Sequence, residues 1–114
     1  MSTYKALSIH QPYADFIKSG LKIMEIRSWQ THYRGKIIIC STKNPYYDNK
    51  LCGYTLCVAD IVDCRLMKKT DEKYAAIKYI PGYFSWILNN IKIINPKKII
   101  GKQGLFNVSA DIFK

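Results

Sequence analysis

Three charged side chains stand within six residues of one another in the segment Gly20-Leu21-Lys22-Ile23-Met24-Glu25-Ile26-Arg27-Ser28-Trp29. In an extended strand successive side chains point to opposite faces, so Glu25, Arg27 and Trp29 share one face while Ile26 and Ser28 share the other. A carboxylate, a guanidinium and an indole together are costly to bury unless they serve one another or a ligand. Arg27 offers a two-pronged fork for a phosphate or a carboxylate. Lys22 offers a phosphate contact or, if desolvated, a base with a depressed pKa. Its parity is wrong for that face, but it lies at a turn where strict alternation has not begun. The plain alternative is a half-exposed strand with an ordinary Glu/Arg pair and a solvated turn lysine. These residues alone support both readings equally.

The elements that must position this group follow from periodicity and punctuation. Residues 4–9 read as a first strand with alternating apolar positions. Pro12 suits the first turn of a short helix over 12–19, Tyr13, Phe16 and Ile17 recur at helical spacing, and Gly20 sits where a C-terminal cap belongs. The strand carrying Glu25 and Arg27 comes next. Gly35 opens a strand over 36–41 that is apolar on both faces and therefore central. Residues 44–49 (Asn-Pro-Tyr-Tyr-Asp-Asn) are turn chemistry and predict an exposed loop. The longest strand is expected over 53–64, where alternation directs one of Asp60 and Asp63 toward the interior. Residues 71–79 carry weak helical periodicity, with acids near the start. Residues 83–88 fit a short strand or one helical turn, 91–94 a further strand, and a last strand falls near 105–108. Five to seven short strands with one to three short helices predict a compact β-barrel of the α+β class.

At 114 residues, 48% apolar and 23% charged, the chain is sized for one globular domain over 1–114. No apolar run reaches membrane-spanning length and the opening residues lack a signal-peptide core, so a cytoplasmic protein is expected. Cys40, Cys52, Cys57 and Cys64 show no Cys-x-x-Cys pair and lie in or beside apolar runs, which predicts reduced, core-filling thiols. His10 and His32 are too few and too far from the cysteines for a zinc site; no metal or cofactor is implied. A surplus of Ile, Lys, Asn and Tyr is what A/T-rich coding yields, and it accounts for Lys over Arg. It does not account for only eight Asp and Glu against 18 Lys and Arg, a formal charge of +10. Such a field attracts polyanions, which ranks nucleic acid first, an acidic protein second and a membrane surface third.

The pattern Gly-x-Lys-x-x-Glu-x-Arg at Gly20, Lys22, Glu25 and Arg27 resembles the signature of the ASCH domain family, itself related to the PUA-like domains. The resemblance extends to Ala6-Leu7-Ser8-Ile9-His10-Gln11-Pro12-Tyr13, to Arg34-Gly35-Lys36-Ile37, to Ala59-Asp60-Ile61-Val62-Asp63-Cys64 and to Gly101-Lys102-Gln103-Gly104-Leu105-Phe106. It implies a PUA-like β-barrel with a cleft beside the signature strand. It also implies RNA binding, or action on nucleic acid or a modified nucleoside. One branch of relatives hydrolyses N4-acetylcytidine with a Lys-x-x-Thr pair and a more distant acid. Here Glu25 stands in the threonine position, so that hydroxyl nucleophile is missing. Lys22 is retained, and either Asp60 or Asp63 is left as the remote acid.

The remaining candidates are weighed beside this segment. Ser8, His10, Gln11 and Tyr13 lie at the first strand–helix junction, where backbone N–H groups face outward; many relatives carry Arg at the position of His10. Trp29, Trp86 and Tyr13 could stack on a base, against the commoner fate of core packing. Trp86 lies in a segment resembling the family's aromatic wall and is expected to line the cleft ahead of Trp29. Lys102 falls in the matched closing motif and is the expected phosphate contact; Lys97 and Lys98 fit solvation equally well, and Arg34 and Lys36 fit rim charge. The expected site therefore comprises Ser8, His10, Gln11, Tyr13, Lys22, Glu25, Arg27, Trp86 and Lys102, with Lys22 and Glu25 as its catalytic pair if the cleft is an active site. The leading expectation is a nucleic-acid-binding module, RNA favoured over DNA, with a cleft for a nucleotide or base. The alternative is a metal-independent hydrolase of RNA or a modified nucleoside, and the third is a protein-interaction adaptor.

Overall fold

A computed structural model describes residues 2–113. Six strands form a mixed sheet: β1 (Thr3–Ile9), β2 (Met24–Arg27), β3 (Gly35–Ser41), β4 (Thr55–Leu66), β5 (Phe84–Ile93) and β6 (Phe106–Ser109). They hydrogen-bond in the order β2-β5-β4-β3-β1-β6, all antiparallel except the parallel β1–β3 pair. The expected α+β class with six strands and short helices is present. The expected closure into a barrel is not: among the described residues β2 and β6 remain as the two edges of the sheet.

The doubly apolar β3 sits between β4 and β1, as its composition requires. Ile37 and Ile39 enter one core with Leu7, Ala59 and Ile61, and α1 (Tyr13–Lys18) caps that face with Ala14 and Ile17. Ile38 and Cys40 face the other way, against Ala6, Val58 and Phe106. Cys40, Cys57 and Cys64 are buried and free, and burial pushes the Cys40 and Cys57 thiols up to about 12, so they pack as neutral side chains.

Three expectations are corrected by local geometry. The segments 83–88 and 91–94 are one strand, β5; Asn90 takes a positive φ of 55° where the register against β4 shifts, a conformation asparagine tolerates better than most residues. The expected 71–79 helix shrinks to a 3₁₀ turn, Lys69–Asp71, and a single turn α2 (Glu72–Ala75), which ends where Ala76 turns left-handed at φ 57°. Neither Asp60 nor Asp63 faces the interior, because register shifts between Val58 and Asp60 and between Ile61 and Asp63 break the alternation that the expectation assumed. Asp60 accepts a hydrogen bond from Asn90 Nδ2, and exposed Asp63 lies 3.8 Å from Arg34.

The buried carboxylate of this region is instead Asp71. It accepts both terminal nitrogens of Arg65 at 2.8 and 3.0 Å, the Lys68 N–H at 2.9 Å and the Ser85 hydroxyl at 2.9 Å. It thereby pins the turn before α2 to β4 and β5. The Arg65 guanidinium, foremost, holds the Asp71 carboxyl well below the usual aspartate value of 3.8. A depressed folded-state pKa contributes stability that is complete above the ordinary value and fades as pH falls below it. Asp71→Asn should cost about 1.5–3 kcal/mol at neutral pH, and the gap between parent and variant should narrow below about pH 4. Urea unfolding across a pH series checks this; a gap that stays constant on acidification would show that Asp71 is not the ionised anchor.

Candidate functional site

The chain leaves α1 through Gly20, whose φ of +83° suits glycine, and wraps back so that the Lys22 N–H donates to the Phe16 carbonyl at 3.0 Å. That fold-back overcomes the unfavourable parity of Lys22. Its side chain, only 1% exposed, lies 3.6 Å from Glu25 Oε1 and donates to the Ala75 carbonyl at the end of α2. Its ammonium also stands 5.7 Å from the Tyr13 ring centre. Burial, opposed by Glu25, lowers the Lys22 pKa from its ordinary value of 10.5.

Glu25 is buried beside it, and its Oε2 accepts Arg27 Nε at 2.8 Å. Arg27 also donates through Nη2 to the Ser8 carbonyl at 3.0 Å, and its guanidinium lies over the Trp29 ring at 5.4 Å. The three charged side chains of the signature strand thus converge, with Glu25 between two cations. The internal ion pair and the ligand-facing cation are parts of one arrangement. Arg27 Nη1 has no hydrogen-bond partner among the described residues.

This group forms the floor of an open cleft of about 1810 Å³. Ser8, His10, Tyr13, Lys22, Glu25, Arg27 and Lys102 of the expected set line it. His10 is exposed there, with Nδ1 2.8 Å from Thr42 Oγ1. Two expected residues do not line the cleft. Gln11 is buried and joins α1 to the following long loop: its Nε2 donates to Asp15 Oδ1 and the Leu51 carbonyl, and its Oε1 accepts the Asp15 N–H. Trp86 is 0% exposed: it pairs with Glu25 across the strands and so shares its face, but Trp29 and the core side chains cover its ring. Its Nε1 donates to the Trp29 carbonyl at 3.2 Å, and the two rings meet edge to face at 5.6 Å. Trp29, 42% exposed, is therefore the indole that the cleft presents. Asp60, Asp63, Arg34 and Lys36 lie outside the lining, whereas Lys98 joins it and Lys97 does not.

The opposite wall escaped the sequence reading. Lys43, Tyr46, Asp48, Lys50 and Tyr54 line it from the long loop between β3 and β4, and Tyr46 is 68% exposed. Aromatics interleaved with lysines were the available signal. The base of this wall is tied to the 98–104 segment by the Tyr54–Lys98 bridge and by the Ile99 N–H donating to Gly53 O at 3.0 Å. The lining as a whole carries six cations (Lys22, Arg27, Lys43, Lys50, Lys98, Lys102) against two carboxylates (Glu25, Asp48). The arrangement can attract an anionic ligand, donate to one of its oxygens from Arg27 Nη1 and stack a ring on Trp29.

Residues 7–99 match the family described as the ASCH domain. The chain is 29% identical over 93 residues to activating signal cointegrator 1 of Homo sapiens and equally to that of Mus musculus; each match covers 62% of this chain and 16% of the relative. The chain thus matches only a small part of the length of these curated relatives. Among solved structures it resembles ASCH from Zymomonas mobilis, with a TM-score of 0.73 and 16% identity over 96% of this chain and 90% of that one. A Y47F mutant of the Zymomonas mobilis protein superposes with a TM-score of 0.68 and 13% identity, over 96% and 92% of the two chains. At such identities the likeness is one of fold.

The lowered Lys22 pKa has a measurable consequence. Below the ordinary lysine value the unfolded chain holds a proton that the folded chain gives up more readily, so this residue's contribution to stability grows as pH rises toward 10.5. Parent stability relative to Lys22→Met should therefore increase between neutral pH and about pH 10. A pH-independent difference in chemical denaturation would show that Lys22 is not desolvated in the folded protein.

Proposed function

The chain belongs to the ASCH domain family, and on that premise we propose that its cleft binds single-stranded nucleic acid, RNA in preference to DNA. The observation that carries this reading is Arg27, held between Glu25, the Ser8 carbonyl and the open face of Trp29 in a cleft with a threefold excess of cations over carboxylates. Cations along the walls hold phosphates, and an unpaired base stacks on the exposed indole. A single strand suits this better than a duplex, because only unstacked bases reach a recessed aromatic ring. Tyr46 on the facing loop supplies a second exposed ring.

Affinity for an unstructured RNA should fall with salt at a slope near −3 in log–log form if about four cations contact phosphates. Trp29→Ala should weaken binding about 5- to 100-fold, the value of one stacked base. The same oligonucleotides as DNA and as a duplex should bind less tightly. A dissociation constant indifferent to salt, or to Trp29→Ala, would overturn the reading.

One observation favours a second reading, hydrolysis of RNA or a modified nucleoside. Lys22 is desolvated beside Glu25 at the cleft floor, an arrangement suited to moving a proton. In that role Lys22 and Glu25 pass the proton while Arg27 meets the developing negative charge. Glu25→Gln separates the two readings. An active site should lose turnover of the ligand while retaining much of its binding; turnover that persists in Glu25→Gln eliminates Glu25 as the acid or base. The third expectation, an adaptor for protein partners, rests on the name of the cointegrator relatives and on no feature of the cleft.

A further inference from the structure

Ser8 stands near the end of β1 on the cleft wall, and its hydroxyl is the one buried side-chain polar atom without a hydrogen-bond partner among the described residues. Buried polar groups are nearly always paired, so a lone hydroxyl beside a binding cleft marks a place where a partner belongs. Its surroundings state what kind. The Ser8 carbonyl anchors Arg27 Nη2, which brings the guanidinium, with Nη1 still uncommitted, against the same residue.

The 101–104 loop roofs this corner. A Cβ added to Gly101 would sit 2.4 Å from Ser8 Oγ and 3.3 Å from Ser8 Cβ, so the backbone lies close over this hydroxyl and a larger residue must displace it. At the other end of the loop a Cβ on Gly104 would lie 4.0 Å from the Trp29 ring. The loop therefore runs from Ser8 to Trp29, the two residues that flank Arg27, and carries exposed Lys102. Among the described residues no backbone hydrogen bond ties down 100–105 ahead of β6, so the roof can lift without breaking a ladder.

The charge at this corner is uneven. Lys22 and Arg27 flank the single carboxylate of Glu25 and exposed Lys102 lines the same cleft, a surplus of up to two positive charges that suits a dianion better than a singly charged diester. The corner is also closed: Ser8 Oγ is buried beneath Gly101, so an oxygen reaches it only when the 101–104 loop lifts, and the space suits the end of a strand better than a continuing chain.

We propose that Ser8 Oγ, Arg27 Nη1 and Lys102 form a subsite for a terminal phosphate monoester, so that the cleft recognises the phosphorylated end of a strand under the 101–104 loop. This deepens the nucleic-acid reading and rests on it. The Ser8 hydroxyl and Arg27 Nη1 donate to phosphate oxygens, and Lys102 closes over them.

The test uses the full chain and three RNA oligonucleotides of one unstructured sequence: one with a 5′ phosphate, one with a 3′ phosphate and one with hydroxyls at both ends. One phosphorylated form should bind about tenfold more tightly than the hydroxyl form. That preference should grow as pH rises through about 6, where the monoester becomes dianionic. Ser8→Ala, which removes the hydroxyl without adding volume, should shrink the preference toward one. Gly101→Ala, which drives a methyl into the same space, should do likewise. A parent protein that binds all three alike with a steep salt slope overturns the terminal subsite and leaves the nucleic-acid reading standing. A parent that binds none of them overturns both. A phosphate preference undiminished in both variants places the terminal phosphate elsewhere and overturns the assignment.

Discussion

The buried carboxylate of Glu25 is the constraint around which the cleft is organised. An ionised carboxylate removed from water must find compensating charge or hydrogen bonds, and here it finds Arg27 at 2.8 Å and Lys22 at 3.6 Å. Each partner must in turn be held. Arg27 is fixed by the Ser8 carbonyl of β1 and by the Trp29 ring, and Lys22 by the Ala75 carbonyl. That carbonyl is in place because Asp71, through Arg65, Lys68 and Ser85, pins the turn from which α2 starts. A chain of paired polar groups thus links strands β1, β2, β4 and β5 to one cleft floor. The same low-dielectric setting that makes an unpaired group expensive makes the completed network rigid.

Burial divides the work between the two tryptophans. Trp86 is wholly enclosed and spends its N–H on the Trp29 carbonyl, so it supports the floor from behind. Trp29 leans edge to face on it and keeps a face toward the cleft and Arg27. A ring backed edge to face by a fully packed ring suits sequence-tolerant stacking, because that support limits the rotamer freedom lost on contact. The facing wall is of another kind. It is a loop joined to α1 through Gln11 and to the 98–104 segment at its base, with exposed Tyr46 and lysines above.

The similarity to ASCH of Zymomonas mobilis spans nearly the whole chain at 16% identity, so the two proteins share an arrangement of elements rather than a set of side chains. Within the present chain that arrangement has a physical logic. A parallel β1–β3 pair needs a crossover, and α1 and β2 supply it. The crossover carries the signature strand out to the far edge beside β5, while its turn keeps Lys22 and Arg27 within reach of α2 and β1. The buried charged floor of the site lies where the crossover leaves the helix, and the other cations of the lining come from the β3–β4 loop and the 98–104 segment.

Local pattern was enough for the strands β1, β3 and β6, for α1 and its glycine cap, and for the grouping of Lys22, Glu25 and Arg27, because each rests on spacing along a few residues. It failed where non-local contacts override alternation. Register shifts between β4 and β5 kept Asp60 and Asp63 out of the interior, and Trp29 with the core cluster covered Trp86. Gln11 was drawn to Asp15 and the Leu51 carbonyl rather than to the cleft. The Ala75 carbonyl, the Asp71 anchor and the contact of Gly101 with Ser8 join different elements of the fold or depend on backbone atoms, which no composition encodes. Residue types and their spacing determined which charges this protein would bring together. Only the packed structure decided which of them a ligand could touch, because exposure is settled by what lies on top of a residue.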